Sequence, residues 1–160
     1  MTRANATPAP AAWLGAAGTL PLIGGAVAAW LGSPWTAELA VRLAVAYGAV
    51  ILSFLGGTFW GFAARPGQRN REHERLAASQ PATRHLFALS IVPPLVAWVA
   101  VVLAPLLALI ILAIAFAATL VLDHWTWAKG LAPSWWMWLR VPLSTVVLLC
   151  LIAIAASPQV

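Results

Sequence analysis

The chain reads as long apolar runs set apart by short polar breaks. Five runs are separable, at about 11–32, 39–64, 84–103, 105–123 and 135–157. Within them the apolar residues are continuous rather than alternating with polar ones, which favours helices over strands. At 1.5 Å of rise per residue, runs of this length cross a hydrocarbon core about 30 Å thick. The pattern predicts an all-α fold: one integral membrane bundle of five transmembrane helices, filling residues 1–160 as a single domain.

The breaks carry turn chemistry. Ser33-Pro34-Trp35-Thr36 separates the first two runs, and Arg65-Pro66-Gly67 opens a polar segment at about 65–82. Ala104-Pro105 divides the third run from the fourth, because proline suits the first turn of a new helix. A loop at 124–134 contains Lys129-Gly130 and Pro133-Ser134. Gly and Pro21 interrupt the first run, which lacks the compact apolar core and small-x-small site of a cleaved signal, so it is expected to stay as the first helix. Pro93, Pro94 and Pro142 also lie inside runs and should kink them.

Composition narrows the class. The chain is 62% hydrophobic and 8% charged, against about 45–50% and about 25% in ordinary soluble domains. That excludes a soluble enzyme, a disordered tail and a disulfide scaffold. The single cysteine, Cys150, has no partner in the chain and reads as a small packing residue.

Charge placement sets orientation. With five spans, Arg3, Arg65, Arg69, Arg71, Arg75, Arg84, Lys129 and Arg140 fall on one side, and Arg42 alone on the other. Basic residues mark the cytoplasmic side, so the N-terminus is expected in the cytoplasm (or a mitochondrial matrix) and the C-terminus opposite. The net charge of +5 then belongs to lipid head groups rather than nucleic acid. Arg65, Arg69, Arg71 and Arg75 form a candidate cytoplasmic surface for lipid or docking. The tryptophans fit interfacial belts, with Trp13, Trp60, Trp125, Trp127, Trp135, Trp136 and Trp138 near the basic side and Trp30, Trp35 and Trp98 near the other. The cluster at 125–138 could instead be a ligand or partner surface.

Several chemistries lack their residues. The only lysine, Lys129, lies in a loop, so no retinal-type Schiff base forms inside the bundle. Glu38 and Asp123 sit at run ends and Glu72 and Glu74 in the polar segment, away from the midplane acids of ion-coupled carriers. His73-Glu74 has no second histidine at zinc-hydrolase spacing, and Gly56–Gly61 does not follow a strand as a nucleotide loop would. No nucleophile–base pair is evident. No catalytic residue, resident metal or enzyme activity is expected.

What remains are packing and polar candidates. Ser53, Gly57 and Gly61 recur every four residues, a small-residue stripe for close helix approach, and Gly25 with Ala29 gives a shorter version. Pro93-Pro94 frees carbonyls and, with Trp98, offers a small-molecule pocket. Asp123 is expected near the cytoplasmic surface, level with Arg65, Arg84 and Arg140, as a salt bridge or a polar site at the mouth of the bundle. His85 and His124 fall at the same level, where bis-histidine haem ligation is conceivable. Glu38 and Arg42 form an i,i+4 pair at the opposite end.

The run from Tyr47 to Gly61, with its Leu-Ser-Phe-Leu-Gly-Gly core, resembles a family of small membrane proteins of unknown function that includes mitochondrial transmembrane protein sixty-nine. Gly18 with Pro21, Val92-Pro93, Asp123 and Arg140-Val141-Pro142 are also similar to it. The resemblance implies five spans in an energy-transducing membrane and no particular activity. Span count and tryptophan content are also similar to the five-helix tryptophan-rich sensory proteins, which bind porphyrins and sterols, although their aromatic–proline motif is unmatched. The leading expectation is a non-catalytic accessory or assembly subunit of a larger bacterial inner-membrane complex. The alternative is a carrier or sensor for a hydrophobic ligand such as a porphyrin or lipid.

Overall fold

The computed structural model describes residues 7–64, 81–158 and 160, and among these every regular element is helical. Six helices build five segments long and apolar enough to cross a membrane. The first span is two helices, α1 (Ala9–Ala17) and α2 (Leu20–Leu31). Pro21 lies in the first turn of α2, where its missing N–H costs nothing, so it marks a break rather than a kink. The Thr19 hydroxyl donates to Ala16 O at 2.7 Å. The Tyr47 hydroxyl donates to Gly18 O at 2.8 Å, tying the break to the next helix.

Helix α3 (Pro34–Ala64) begins five residues before the apolar run suggests. Pro34 opens it, and the Thr36 N–H donates to Ser33 Oγ at 3.3 Å, so Ser33-Pro34-Trp35-Thr36 is a helix start rather than a connection. Arg42 and Glu38 form the expected i,i+4 pair at 2.6 Å, exposed at this end. Helices α4 (Pro81–Val101) and α5 (Pro105–Ala128) are separated where Pro105 predicts. Helix α5 continues five residues past Asp123, taking Trp125 and Trp127 out of the anticipated loop. Gly130 adopts a left-handed φ of 70°, which glycine accepts without strain. Leu131 and Ala132 donate their N–H groups back to Thr126 O, turning the chain into α6 (Trp136–Ala155).

Helix α3 is central, packed against α2, α4 and α5, while α6 packs on α5 and α2. Leu22, Leu52, Leu112, Phe116, Leu151 and Ile154 fill the shared core. Phe59, Ala63 and Leu86 form a smaller cluster between α3 and α4. Helix α2 is pinned to α6 by Trp30 Nε1, which donates to Ala153 O at 2.8 Å. Helix α1 buries none of its residues and rests mainly on α6. Gly15 permits that approach, since a Cβ there would lie 2.6 Å from Leu143 Cδ1. Leu31, Trp98 and Val121 point outward, as side chains facing lipid do.

The small-residue stripe, expected to pack closely within the chain or with a partner, makes no close contact within the described residues. Gly57 and Gly61 face open space, and the Ser53 hydroxyl donates to Ala49 O of its own helix at 2.8 Å. Close approach within the chain runs one residue round, through Gly56. A Cβ there would come within 2.5 Å of Ser90 O and 2.6 Å of Pro94 Cδ. Pro94 has no N–H for the Ser90 carbonyl one turn earlier, so that freed carbonyl lies against the Cα of Gly56. Gly25 lies against α3, with a Cβ position 3.6 Å from the Ala44 Cβ, an ordinary van der Waals contact.

Candidate functional site

The buried polar side chains of the last two spans share one seam. Thr119, Asp123 and Thr126 lie on one face of α5 by their spacing, and Arg140 and Ser144 on one face of α6. The two threonines donate to carbonyls of their own helix, Thr119 to Phe116 O at 2.9 Å and Thr126 to Asp123 O at 2.8 Å. Asp123 is wholly buried, at 0% exposure. Its Oδ1 accepts from Trp136 Nε1 at 2.7 Å and its Oδ2 from Arg140 Nε at 2.6 Å.

Helix geometry explains the convergence. Trp136 and Arg140 are four residues apart, so they project from one face of α6. The Gly130 turn folds α6 back antiparallel to α5 and brings both donors to one carboxylate. Phe62 meets the Trp136 ring edge-on, with centroids 5.2 Å apart, and fixes the indole further. A carboxylate receiving two donors, one of them cationic, is stable without water. The guanidinium is not fully used: Arg140 Nη2 is buried with no hydrogen-bond partner among the described residues, as is Ser144 Oγ.

Asp123 is thus enclosed by the protein near one end of the bundle. It lies five residues inside the end of α5, about 7.5 Å along the helix axis. Arg140 answers its charge, and the helix runs on past the point where the apolar pattern ends. Of the expected polar group, Asp123 and Arg140 come together, whereas Arg84, His85 and His124 are exposed and stand apart. The His124 ring lies beside Trp127, with centroids 5.8 Å apart, and neither histidine lines the cavities described below. Among the described residues no group of three metal-ligating side chains converges. Trp136 is the partner that the belt reading missed, and its i,i+4 spacing to Arg140 was the available signal. Arg65, Arg69, Arg71 and Arg75 lie outside the described residues.

Beside this seam is a cavity of about 520 Å³ between α1, α3 and α6. Gly15, Thr19, Tyr47, Phe54, Trp136 and Arg140 are among its walls. A second space of about 430 Å³ lies between α4 and α5 and includes Pro93 and Trp125. The expected pocket of Pro93, Pro94 and Trp98 is not assembled as such. One residue turns a helix by about 100°, so Pro93 faces α5 while Pro94 meets Gly56 of α3, and Trp98 is 69% exposed.

A family model described as "Protein of unknown function (DUF3429)" matches residues 7–156. Transmembrane protein 69 of Xenopus tropicalis is 38% identical over 95 residues, a stretch covering 58% of this chain. That stretch covers 32% of the relative, so the likeness spans about a third of its length. No solved structure matches.

Proposed function

The chain belongs to the DUF3429 family of proteins of unknown function, and from that premise we propose that it is a non-catalytic membrane protein that holds a hydrophobic ligand between α1, α3 and α6. The single observation behind this reading is the cavity of about 520 Å³ flanked by a helix with no buried residue of its own. Sites for small molecules commonly enclose about 300–1,000 Å³ and are mostly apolar with a few placed polar groups. Here the lining hydroxyls of Thr19, Thr58 and Tyr47 all donate to main-chain carbonyls, which suits holding a ligand rather than activating one. A lightly held α1 gives a hydrophobic molecule a sideways route from the bilayer. The proposed setting is a bacterial inner membrane with the N-terminus in the cytoplasm, and a porphyrin or a lipid fits the occupant's class.

The test is purification of the full chain in mild detergent, followed by identification of what accompanies it. A stoichiometric hydrophobic molecule that is lost in Ala11→Trp, which puts bulk into the cavity wall, supports the reading. Equal retention by that variant overturns it.

A second reading, an accessory subunit packed against other membrane proteins, is favoured by the outward Gly57–Gly61 face. Nothing among the described residues lies within 4 Å of a Cβ at either glycine, so another helix backbone can approach there. Gly57→Leu should strip such a partner while leaving the monomer folded. A complex that survives this change removes the face as its contact.

A further inference from the structure

We infer that the polar end of the ligand in this cavity is a neutral carbonyl oxygen, received by the guanidinium of Arg140. The inference rests on the ligand-binding reading above and adds the chemistry of the end group. Three features lead to it.

The first is the inventory of donors around the cavity. The hydroxyl protons of Thr19, Thr58 and Tyr47 are already given to Ala16 O, Leu55 O and Gly18 O. Trp136 gives its indole N–H to Asp123. Arg140 differs, because it spends only Nε, and its Nη2 is buried with no acceptor among the described residues. Its side chain is 7% exposed and forms part of the cavity wall. Buried N–H groups without a partner are uncommon, and each leaves a desolvation cost that an incoming acceptor would remove. The ligand must therefore bring an acceptor to a donor-only end.

The second feature is charge. Asp123 accepts two hydrogen bonds and neutralises Arg140. A second anion at Arg140 would leave one negative charge uncompensated among apolar walls, which is costly. A cation would meet a guanidinium. A neutral oxygen gains a charge-assisted hydrogen bond without upsetting the balance.

The third is the surroundings. Apart from the indole N–H of Trp135, which is a further donor, the rest of the wall, with Gly15, Phe54 and Leu143 in it, offers apolar contact. The occupant is therefore a long apolar body ending in a carbonyl. An acyl ester and the ring ketone of a tailed quinone share that chemistry.

The ligands themselves supply the test, on the full chain in an alkyl maltoside, which carries no carbonyl. Binding of a diacylglycerol is compared by native mass spectrometry with binding of its dialkyl ether analogue, which differs only in the two carbonyls. The diester should bind roughly tenfold tighter or more, the scale of one hydrogen bond to a charged donor. Decyl-benzoquinone against decylbenzene is the second arm, and it tells a ring ketone from an ester as the preferred source. Asp123→Leu/Arg140→Met removes the pair together, leaving no orphan charge, and should erase the preference while retaining the ether analogue. Equal binding of carbonyl and non-carbonyl partners to the unaltered chain overturns the inference and leaves the cavity reading standing. Tighter binding of oleate than of the diester also overturns it. If none of these molecules binds, the ligand-binding reading itself fails.

Discussion

Arg140 reaches Asp123 through Nε alone, at 2.6 Å, and leaves Nη2 buried beside the carboxylate it neutralises. The pair joins α5 to α6 one turn or more inside their basic ends, with the Trp136 indole completing the carboxylate's shell. Such a pair is weak support for net stability but expensive to break from one side.

Asp123→Asn leaves a guanidinium in the bundle with no counter-charge. It should destabilise the fold by about 3–5 kcal/mol, the cost typical of an orphaned buried charge. Thermal unfolding in detergent measures this. Asp123→Leu/Arg140→Met should recover most of the loss, and a double variant no better than the single would contradict the pairing.

Gly56 and Gly57 are neighbours with opposite surroundings. Gly56→Ala pushes a methyl group against Ser90 O and Pro94 and should cost about 1–3 kcal/mol as an overpacked core change. Gly57→Ala meets open space and should leave the melting temperature unchanged or slightly raised. Equal effects at the two sites would refute the assigned rotation of α3.

Tyr47→Phe removes the donor that Gly18 O uses at the α1–α2 break. About 1–2 kcal/mol should be lost. The loosening should be local: hydrogen exchange ought to rise over residues 9–19 and stay unchanged in α5.

An odd number of spans puts the two termini on opposite faces. A phosphatase fused after Val160 should be active outside the cytoplasm and a fluorescent protein dark there, while fusions at the N-terminus give the reverse. Termini reporting from the same side would remove one of the five crossings.

The spans and their order were legible because long apolar runs have few other uses. The Glu38–Arg42 pair was legible from spacing, and scarcity of charge showed that Asp123 needs a basic partner, while the choice of Arg140 over Arg65 and Arg84 was not legible. The helix end was not legible. The charge of Asp123 ends the apolar pattern, although a partner from the next helix lets the helix continue to Ala128. Rotation was also hidden. Ser53, Gly57 and Gly61 make the more regular series, yet the contact with α4 falls on Gly56, because that is where Pro94 frees a carbonyl. The main cavity depends on how α1 leans against α6 at Gly15, a tertiary relation that periodicity does not carry.

The hydrogen bond from Trp30 to Ala153 spans 123 residues. During synthesis, α2 is therefore made long before the carbonyl that receives its indole. Until α6 arrives, α2 can pack on α3 but cannot make this bond. The last helix closes the bundle, and with it the walls that α1 and α6 share. A chain cut short before residue 153 would keep its early spans and leave that clasp unfastened.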